Sequence, residues 1–411
     1  MLLCRRAGFT SACAIFTLAG CLPVSQAFAG GLWLNEYGDF SGGRASAGAA
    51  AGVDDASTML HNPASMTRLK GSQLSVTAAA LQPSLKFSQE RGSASGPGGG
   101  NGGDAGVFSP SGGVFYVSDV DSERWDMGIY FSGLAGNGLE YDDGWVGRYQ
   151  ATESSLMIAA LAPTIAYRIS DRLSVGGSFQ IYAASLNVEL RTPPLPASGK
   201  AGRVALDGTD VDGGYTLGVL YELSDTTRLG INYQSELDPD YSGDLELKGT
   251  PLSIETNTEL VMAQKVRLGV HHQLNERLSL EFTLGWDDWS ALDQVFVSTQ
   301  IVSGGLQKKS RDTTHTALGF QYQLSDHLKM TSGVSYDTNP IDADYRTADL
   351  PLDRQVKAAA GLEYQPDTSW KLAAYANYTD LGSNKINAAT WRGEYDTAAL
   401  YQLGFSFSWM Y

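Results

Sequence analysis

The chain has 411 residues, a formal net charge of −16, 47 glycines, 20 tyrosines, 8 tryptophans and 14 prolines. That acidic balance excludes a nucleic-acid binder, which needs clustered Lys and Arg to neutralise phosphates, and the glycine- and aromatic-rich mixture does not suit a helical membrane bundle. All three cysteines, Cys4, Cys13 and Cys21, precede Leu22, so disulfides, thiolate catalysis and cysteine-bound metals drop out once a leader is removed.

At the N-terminus, Arg5 and Arg6 form a basic n-region, Ala12 to Leu18 is apolar, and Ala27-Phe28-Ala29 before Gly30 fits a small-x-small cleavage site. Residues 1–29 are read as a signal peptide. Leu18-Ala19-Gly20-Cys21 also reads as a lipobox that would make Cys21 an acylated N-terminus; cleavage near Ala29 is favoured because a barrel needs no lipid anchor. Beyond the leader no apolar stretch approaches the ~20 residues of a spanning helix. Membrane residence then has to come from strands.

Gly31 to Leu69 does not alternate. Its run Gly43 to Ser57 is built from small residues and leads to His61-Asn62-Pro63-Ala64, while Leu32, Trp33, Leu34, Met59, Leu60 and Met66 are more apolar than a solvated linker requires. A plug inside a tube accounts for both features. Gly92 to Gly106 has no GK[ST] and no strand–helix context, so it is a flexible loop and not a phosphate cradle.

From Leu74 onward the pattern is that of strands. Leu173, Val175, Phe179 and Ile181 alternate with Ser174, Ser178 and Gln180; Leu278, Leu280, Phe282, Leu284 and Trp286 alternate with Ser279, Glu281 and Thr283. The last segment is clearest: Tyr401, Leu403, Phe405, Phe407, Trp409 and Tyr411 against Gln402, Gly404, Ser406, Ser408 and Met410. Successive side chains of a strand point to opposite faces, so one face is lipid-facing and the other lines a lumen. A terminal aromatic such as Tyr411 suits recognition by barrel-insertion machinery.

A near-repeat sets the topology: Tyr167 to Leu173, Tyr221 to Asp225, His272 to Leu278, Tyr322 to Leu328, Tyr364 to Asp367 and, more loosely, Val117 to Trp125. Ser, Asp and Asn supply tight-turn chemistry and the preceding Tyr suits a membrane boundary. The spacing leaves room for two strands and one longer loop between turns, which gives about fourteen strands, the even number of a single-chain barrel. The fold class is therefore all-β, a transmembrane antiparallel barrel with an N-terminal hatch, divided as 1–29 signal peptide, 30–70 hatch and 71–411 barrel. The acidic charge is either ordinary solubility or a carboxylate-lined lumen and outer loops.

Leu32-Trp33-Leu34-Asn35-Glu36-Tyr37, Asp54-Asp55-Ala56 and Asn62-Pro63-Ala64 resemble the hatch of the FadL/TodX family of outer-membrane transporters. The resemblance continues through Trp145-Val146-Gly147-Arg148-Tyr149-Gln150-Ala151, Pro163 to Arg168, Trp286-Asp287-Asp288-Trp289-Ser290, Asp337 to Asp342 and Leu350-Pro351-Leu352-Asp353-Arg354, in order along nearly the whole mature chain. It implies passive uptake of long-chain fatty acids or other hydrophobic molecules across the bacterial outer membrane, by a monomer seated among lipid and lipopolysaccharide. It further implies sideways release at an irregularity in the third strand, here Trp125 to Phe131. Ser132, Gly133 and Gly136 follow it as candidates for that opening, since glycines permit a kink or a broken ladder, with ordinary turn chemistry after a strand as the alternative role.

Apolar cargo needs apolar contact throughout, at roughly 25 cal/mol per Å². Leu134, Leu139, Tyr141, Trp145, Leu156 and Met157 are the candidate capture groove, with loop-on-loop packing as the alternative role, and Arg148 is a candidate contact for a carboxylate head group. Arg228, Lys265, Arg267 and Lys371 are further cations open to that role or to pairing with carboxylates. Leu32, Asn35, Asn62, Pro63 and Ala64 are the candidate gate, because a cap and a fixed ring define a closed state, with a purely structural turn at Asn62-Pro63 as the alternative. No cofactor or metal is expected: the histidines show no HExxH, His271 and His272 point to opposite faces of a strand, and no GxSxG appears. A porin, an adhesin or a channel for aromatic hydrocarbons stands as an alternative, and an outer-membrane lipase assembled from separate strands as a remote one.

Overall fold

Side-chain alternation along the strands is realised as an inside-out sheet. On the last strand Tyr401, Leu403, Phe405, Phe407 and Trp409 are exposed while Gln402, Ser406 and Ser408 are buried, the reverse of a soluble protein and the arrangement of a wall facing lipid. The computed structural model describes residues 38–92, 98–118, 120, 122, 124–194, 201–299 and 303–411. The leader, both of its cleavage readings, and the gate candidates Leu32 and Asn35 lie outside the described residues.

The strands in chain order are β1 (Gln73–Gln89), β2 (Ser109–Ser118), β3 (Trp125–Glu140), β4 (Glu153–Arg168), β5 (Leu173–Pro194), β6 (Ala201–Ser224), β7 (Thr227–Gln234), β8 (Asp240–Leu247), β9 (Ser253–Glu259), β10 (Lys265–Gln273), β11 (Leu278–Asp287), β12 (Gln294–Thr299), β13 (Ser303–Gln307), β14 (Thr313–Ser325), β15 (Leu328–Asp337), β16 (Gln355–Tyr364), β17 (Trp370–Asp380), β18 (Ile386–Asn387) and β19 (Arg392–Met410). Fourteen of them close one antiparallel barrel: β1 through β7, then β10, β11, β14, β15, β16, β17 and β19, which returns to β1. The closing register runs from Gln73↔Met410 to Gln89↔Gly393, so the first and last strands seal each other over nearly their whole length.

The short turns fall where the repeat places them, between β2 and β3, β4 and β5, β6 and β7, β10 and β11, β14 and β15, and β16 and β17, all at one end. Trp125 packs on Tyr167 at 4.4 Å and Tyr364 on Trp370 at 5.9 Å, which puts aromatic pairs at that boundary. At the other end the wall outgrows a bilayer. β5 and β6 have 22 and 24 residues, where ~10 suffice to span. β8 pairs with the outer half of β6, β9 with β8, β12 with β9 and β13 with β12, extending a sheet beyond the barrel.

Residues 38–69 run inside the barrel as short helical pieces, Phe40–Arg44, Ala49–Ala51, Thr58–His61 and Pro63–Arg68, and most of their side chains are buried. Small residues are what this position demands. The inner segment turns tightly through Ala45, Ser46 and Gly48, all at positive φ, and its backbone lies directly against wall glycines. A Cβ on Gly230 would sit 1.8 Å from the Ala50 carbonyl oxygen, and one on Gly333 2.2 Å from the Arg44 oxygen.

Candidate functional site

The lumen has two kinds of lining. Along β1, β3, β4 and β5 the inward side chains of the outer half are apolar: Leu81, Leu85, Leu134, Leu156, Ile158 and Leu186 belong to one buried cluster. Along β11, β14 and β17 they are polar, including Asp287, His315 and Asn377. The sequence dictates this locally, because the inward positions of the first strands are filled by Leu and Ala and those of the later ones by Asn, Thr and charged residues.

At the outer end the apolar lining rises into an aromatic cap. Tyr141 stacks on Trp145 at 4.0 Å, Trp145 meets Phe87 and Trp391 edge-on at 5.8 and 5.7 Å, and Phe87 meets Tyr395 at 5.3 Å. Such pairs contribute about 0.5–1.5 kcal/mol each beyond their burial. The polar edges are satisfied: Trp145 Nε1 donates to Ala151 O at 2.8 Å and the Tyr141 hydroxyl to Ala348 O at 3.0 Å. Burial pushes the Tyr141 phenol well above its ordinary value, so it stays a neutral donor.

Below the cap the wall is incomplete. Pairing between β2 and β3 stops at Gly113↔Ser132, whereas β3 pairs with β4 as far as Glu140↔Glu153, with a register shift between Gly133 and Ala135. From Gly133 to Gly138 β3 is therefore held on one side only, and pairing on the β2 side resumes where Gly106 meets Leu139 and Ala105 O accepts from Glu140 N. The strand loses its alternation there, with every residue from Leu134 to Leu139 buried. Gly106 bridges Leu139 and Asp104 bridges Lys86 above the break.

The inner segment is fastened by charge. Arg44, fully buried, donates to Asp54 at 2.6 Å, and the Asp54 carbonyl accepts from Lys371, whose ammonium sits 4.4 Å over the Phe40 ring. Burial alone would raise the Asp54 carboxyl, but Arg44, helped by Lys371 and Lys329, outweighs it and the net shift is downward. Asp55 goes the other way: burial raises it, and Lys371 with the Ser57 and Ser75 hydroxyls offsets only part. Arg228 donates to Ala51 O at 3.2 Å, and Asn62 Nδ2 bonds both Ala50 O at 2.6 Å and Val219 O at 3.0 Å. Asn62 also caps the following turn by accepting from Ala64 N at 3.0 Å, with Pro63 as its first residue.

Asp39, Ser41 and His61 come together beside this segment, but not as a hydrolytic relay. His61 Nε2 lies 2.7 Å from Asp39 Oδ2 and 3.3 Å from Ser41 Oγ, so one ring nitrogen serves both partners. A relay needs the acid on one nitrogen and the serine on the other. Burial would raise Asp39, yet His61 and Ser41 draw it down on balance.

Between the inner segment and the wall lies a cavity lined by Leu60, His61, Leu134, Lys265, Arg267 and His315, among others. Arg267 pairs with Asp287 at 2.8 Å and His315 with Asp337 at 2.8 Å. An apolar edge at Leu60 and Leu134 thus faces a polar wall that holds Lys265 and the carboxylate-paired Arg267 and His315.

Of the groove candidates, Leu134, Leu139, Tyr141, Trp145 and Leu156 share one buried cluster. Met157 does not join it, because it occupies the opposite face of β4 from Leu156. Leu134, Leu139, Leu156 and Met157 are strand residues, not loop residues, since the wall extends past the bilayer. Arg148 lies in the outer loop, donating to Trp145 O at 2.7 Å and Gly98 O at 3.1 Å, away from the inner cavity. The third strand runs on to Glu140, and Ser132, Gly133 and Gly136 sit at its break and just beyond. The described part of the glycine-rich loop is not free: Gly100 bridges Trp145 and Asp142 N donates to Gly102 O at 3.0 Å. Phe87, Trp391 and Tyr395 were not singled out in the sequence; an inward position on an outer strand end was the available signal for Phe87 and Tyr395.

A sequence profile of the family described as outer membrane protein transport protein (OMPP1/FadL/TodX) matches residues 20–405. The long-chain fatty acid transport protein of Escherichia coli strain K12 is 23% identical over 439 residues, covering 95% of this chain and 97% of that protein. Outer membrane protein P1 of Haemophilus influenzae strain Rd is 24% identical, with 84% of each chain covered. Among solved structures, a Pseudomonas aeruginosa FadL homologue superposes with a TM-score of 0.84 at 19% identity, covering 93% of this chain and all 100% of its own. The Pseudomonas putida toluene transporter TodX gives 0.66 at 19% identity, covering 86% and 94%.

Proposed function

Because the chain belongs to the OMPP1/FadL/TodX family of outer-membrane transport proteins, we propose that it takes up hydrophobic molecules, with long-chain fatty acids as the preferred class. The observation that carries this reading is the lumen's division: an apolar lining descends from the aromatic cap to Leu134 and Leu60, and ends at a cavity whose other wall presents Lys265 and Arg267. An amphiphile with a long chain and a carboxylate matches both walls, whereas a neutral hydrocarbon uses only one. The relatives named as long-chain fatty acid transport proteins support the same class.

In this reading cargo is captured at the outer end, where Leu139, Tyr141, Trp145 and Leu156 give way to admit it. Residues 38–69 act as the hatch, with Asn62, Pro63 and Ala64 defining its closed state, and the organisation 1–29 leader, 30–70 hatch, 71–411 barrel follows. Release is sideways, between β2 and β3 near Ser132, Gly133 and Gly136, so that the apolar chain re-enters lipid without crossing the polar end of the lumen. The protein works as a monomer in contact with lipid and lipopolysaccharide.

Reconstituted vesicles separate the alternatives. Uptake of labelled oleate without sugar-dependent swelling is the expected result; swelling with sugars would identify a porin, and uptake of toluene with no uptake of oleate would identify a hydrocarbon channel.

A further inference from the structure

The segment between β15 and β16, residues 338–354, does not stay over its own strands. In the barrel order β3 lies across the mouth from β14 and β15, yet the tip of this segment hydrogen-bonds β3 and its loop. Asn137 Nδ2 donates to Asp349 O at 3.3 Å, the Tyr141 hydroxyl to Ala348 O at 3.0 Å, and Ala348 N to Gln150 Oε1 at 3.1 Å. Asn137 lies on the stretch of β3, Gly133 to Gly138, that has no partner on the β2 side. A strap thus crosses the mouth and holds the loose stave from the opposite side.

The strap is stiff and pinned at its tip. Arg346, buried, donates to Leu352 O and Lys385 O at 2.6 Å and to Ile341 O at 2.7 Å, which ties its two limbs together. The pin is Lys308, arriving from the loop before β14. Its side chain is 0% exposed and pairs with Asp349 Oδ2 at 2.9 Å, while the Asp349 side chain is 21% exposed. Thr347 Oγ1 accepts from the same ammonium. One residue, Asp349, therefore carries both the pin through its carboxylate and the β3 tether through its carbonyl.

We propose that this strap is a latch on the unpaired stretch of β3, Gly133 to Gly138, and that the carboxylate of an anionic amphiphile releases it by replacing Asp349 on Lys308. The proposal rests on the reading of sideways release between β2 and β3. Stripping Asp349 away with nothing in its place would leave a buried ammonium uncompensated, which is strongly unfavourable. A cargo carboxylate exchanges like for like and keeps the ammonium paired, whereas an alcohol head group cannot. The partly exposed side of the pair is the carboxylate, which is the side an incoming acid reaches.

The test uses the full-length protein in vesicles, with labelled oleate and labelled oleyl alcohol as probes. Wild type takes up the acid faster than the alcohol. In Lys308→Met the latch has no pin, and the acid-to-alcohol rate ratio falls about tenfold, the equivalent of about 1.4 kcal/mol. A disulfide between Gln150→Cys and Ala348→Cys fixes the strap to the far side, so both probes slow together and recover on reduction. Heat-modifiable gel mobility reports that each variant is folded. An unchanged ratio in Lys308→Met, or unchanged rates in the oxidised double cysteine, overturns the latch while leaving transport intact; a wild type that moves neither probe overturns the transport reading and the latch with it.

Discussion

Gly230→Ala tests whether the inner segment is a seated hatch, because it adds one methyl group on the lumen side and none on the lipid side. The new Cβ would lie 1.8 Å from Ala50 O, 2.3 Å from Ala50 C and 2.7 Å from Ala51 N, all backbone atoms that cannot swing aside. Ordinary contact begins at 3.4 Å, so the inner segment must retreat by about 1.6 Å at that point, the separation at which dispersion attraction replaces overlap. Retreat breaks the Asn62 bond to Ala50 O and the Arg228 bond to Ala51 O. At about 1 kcal/mol for the first and 1.5–3 for the charged one, the seat weakens by about 3 kcal/mol. The wall itself is spared, since alanine is accepted in a strand as readily as glycine or better. Gly177→Ala is the control: on the outward face its Cβ meets nothing nearer than 3.5 Å. The assay is single-channel conductance in planar bilayers together with the gel shift on heating. Conductance should rise in Gly230→Ala and not in Gly177→Ala, with both barrels folded. A folded Gly230→Ala barrel with wild-type conductance would refute the claim that wall glycines set the hatch.

Arg44→Ala leaves the partly buried Asp54 without its ion-pair partner and should destabilise the inner segment by about 2–3 kcal/mol, read as faster hydrogen exchange across residues 45–52 with strand amides unchanged. Trp145→Ala removes the stack on Tyr141 and two edge contacts, a local loss of about 3–5 kcal/mol; oleate binding measured by titration calorimetry should weaken while insertion persists. Phe405→Arg places a cation on the lipid face and should cost about 2–4 kcal/mol in urea unfolding from vesicles, against far less for a polar change at the inward Ser406. Burial raises the Asp349 carboxyl, but Lys308 and Thr347 more than offset it, so its folded value lies below the ordinary one. The stability of the Lys308–Asp349 contact is then fully present above the ordinary carboxylate value and lost as pH falls through the depressed one. Oleyl alcohol uptake should accordingly be flat from neutral pH down to about pH 4 and climb only below it.

Residues such as Phe405, Ser406 and Phe407 determine the wall without help from the rest of the chain. A strand sends neighbours to opposite faces, so alternation between greasy and small side chains is a complete local statement about lipid and lumen. The turns built on Ser, Asp and Asn, two of them Tyr-x-Leu-Ser-Asp at Tyr221 and Tyr322, likewise close hairpins with their own atoms, which is why the six short turns and the count of about fourteen staves could be read directly. Asn62-Pro63-Ala64 was legible as a capped turn for the same reason. The aromatic cap was not, because Phe87, Trp145, Trp391 and Tyr395 meet only after β19 closes on β1. The break between β2 and β3 was legible only through the family resemblance: glycines at 133 and 136 permit a loose stave, but where pairing stops depends on how far the neighbouring strand reaches. The strap is the extreme case. Nothing near Asp349 in the chain indicates Lys308 or Asn137, since charge pairing and tethering across a barrel mouth depend on distance in space, and only the closed ring sets that distance.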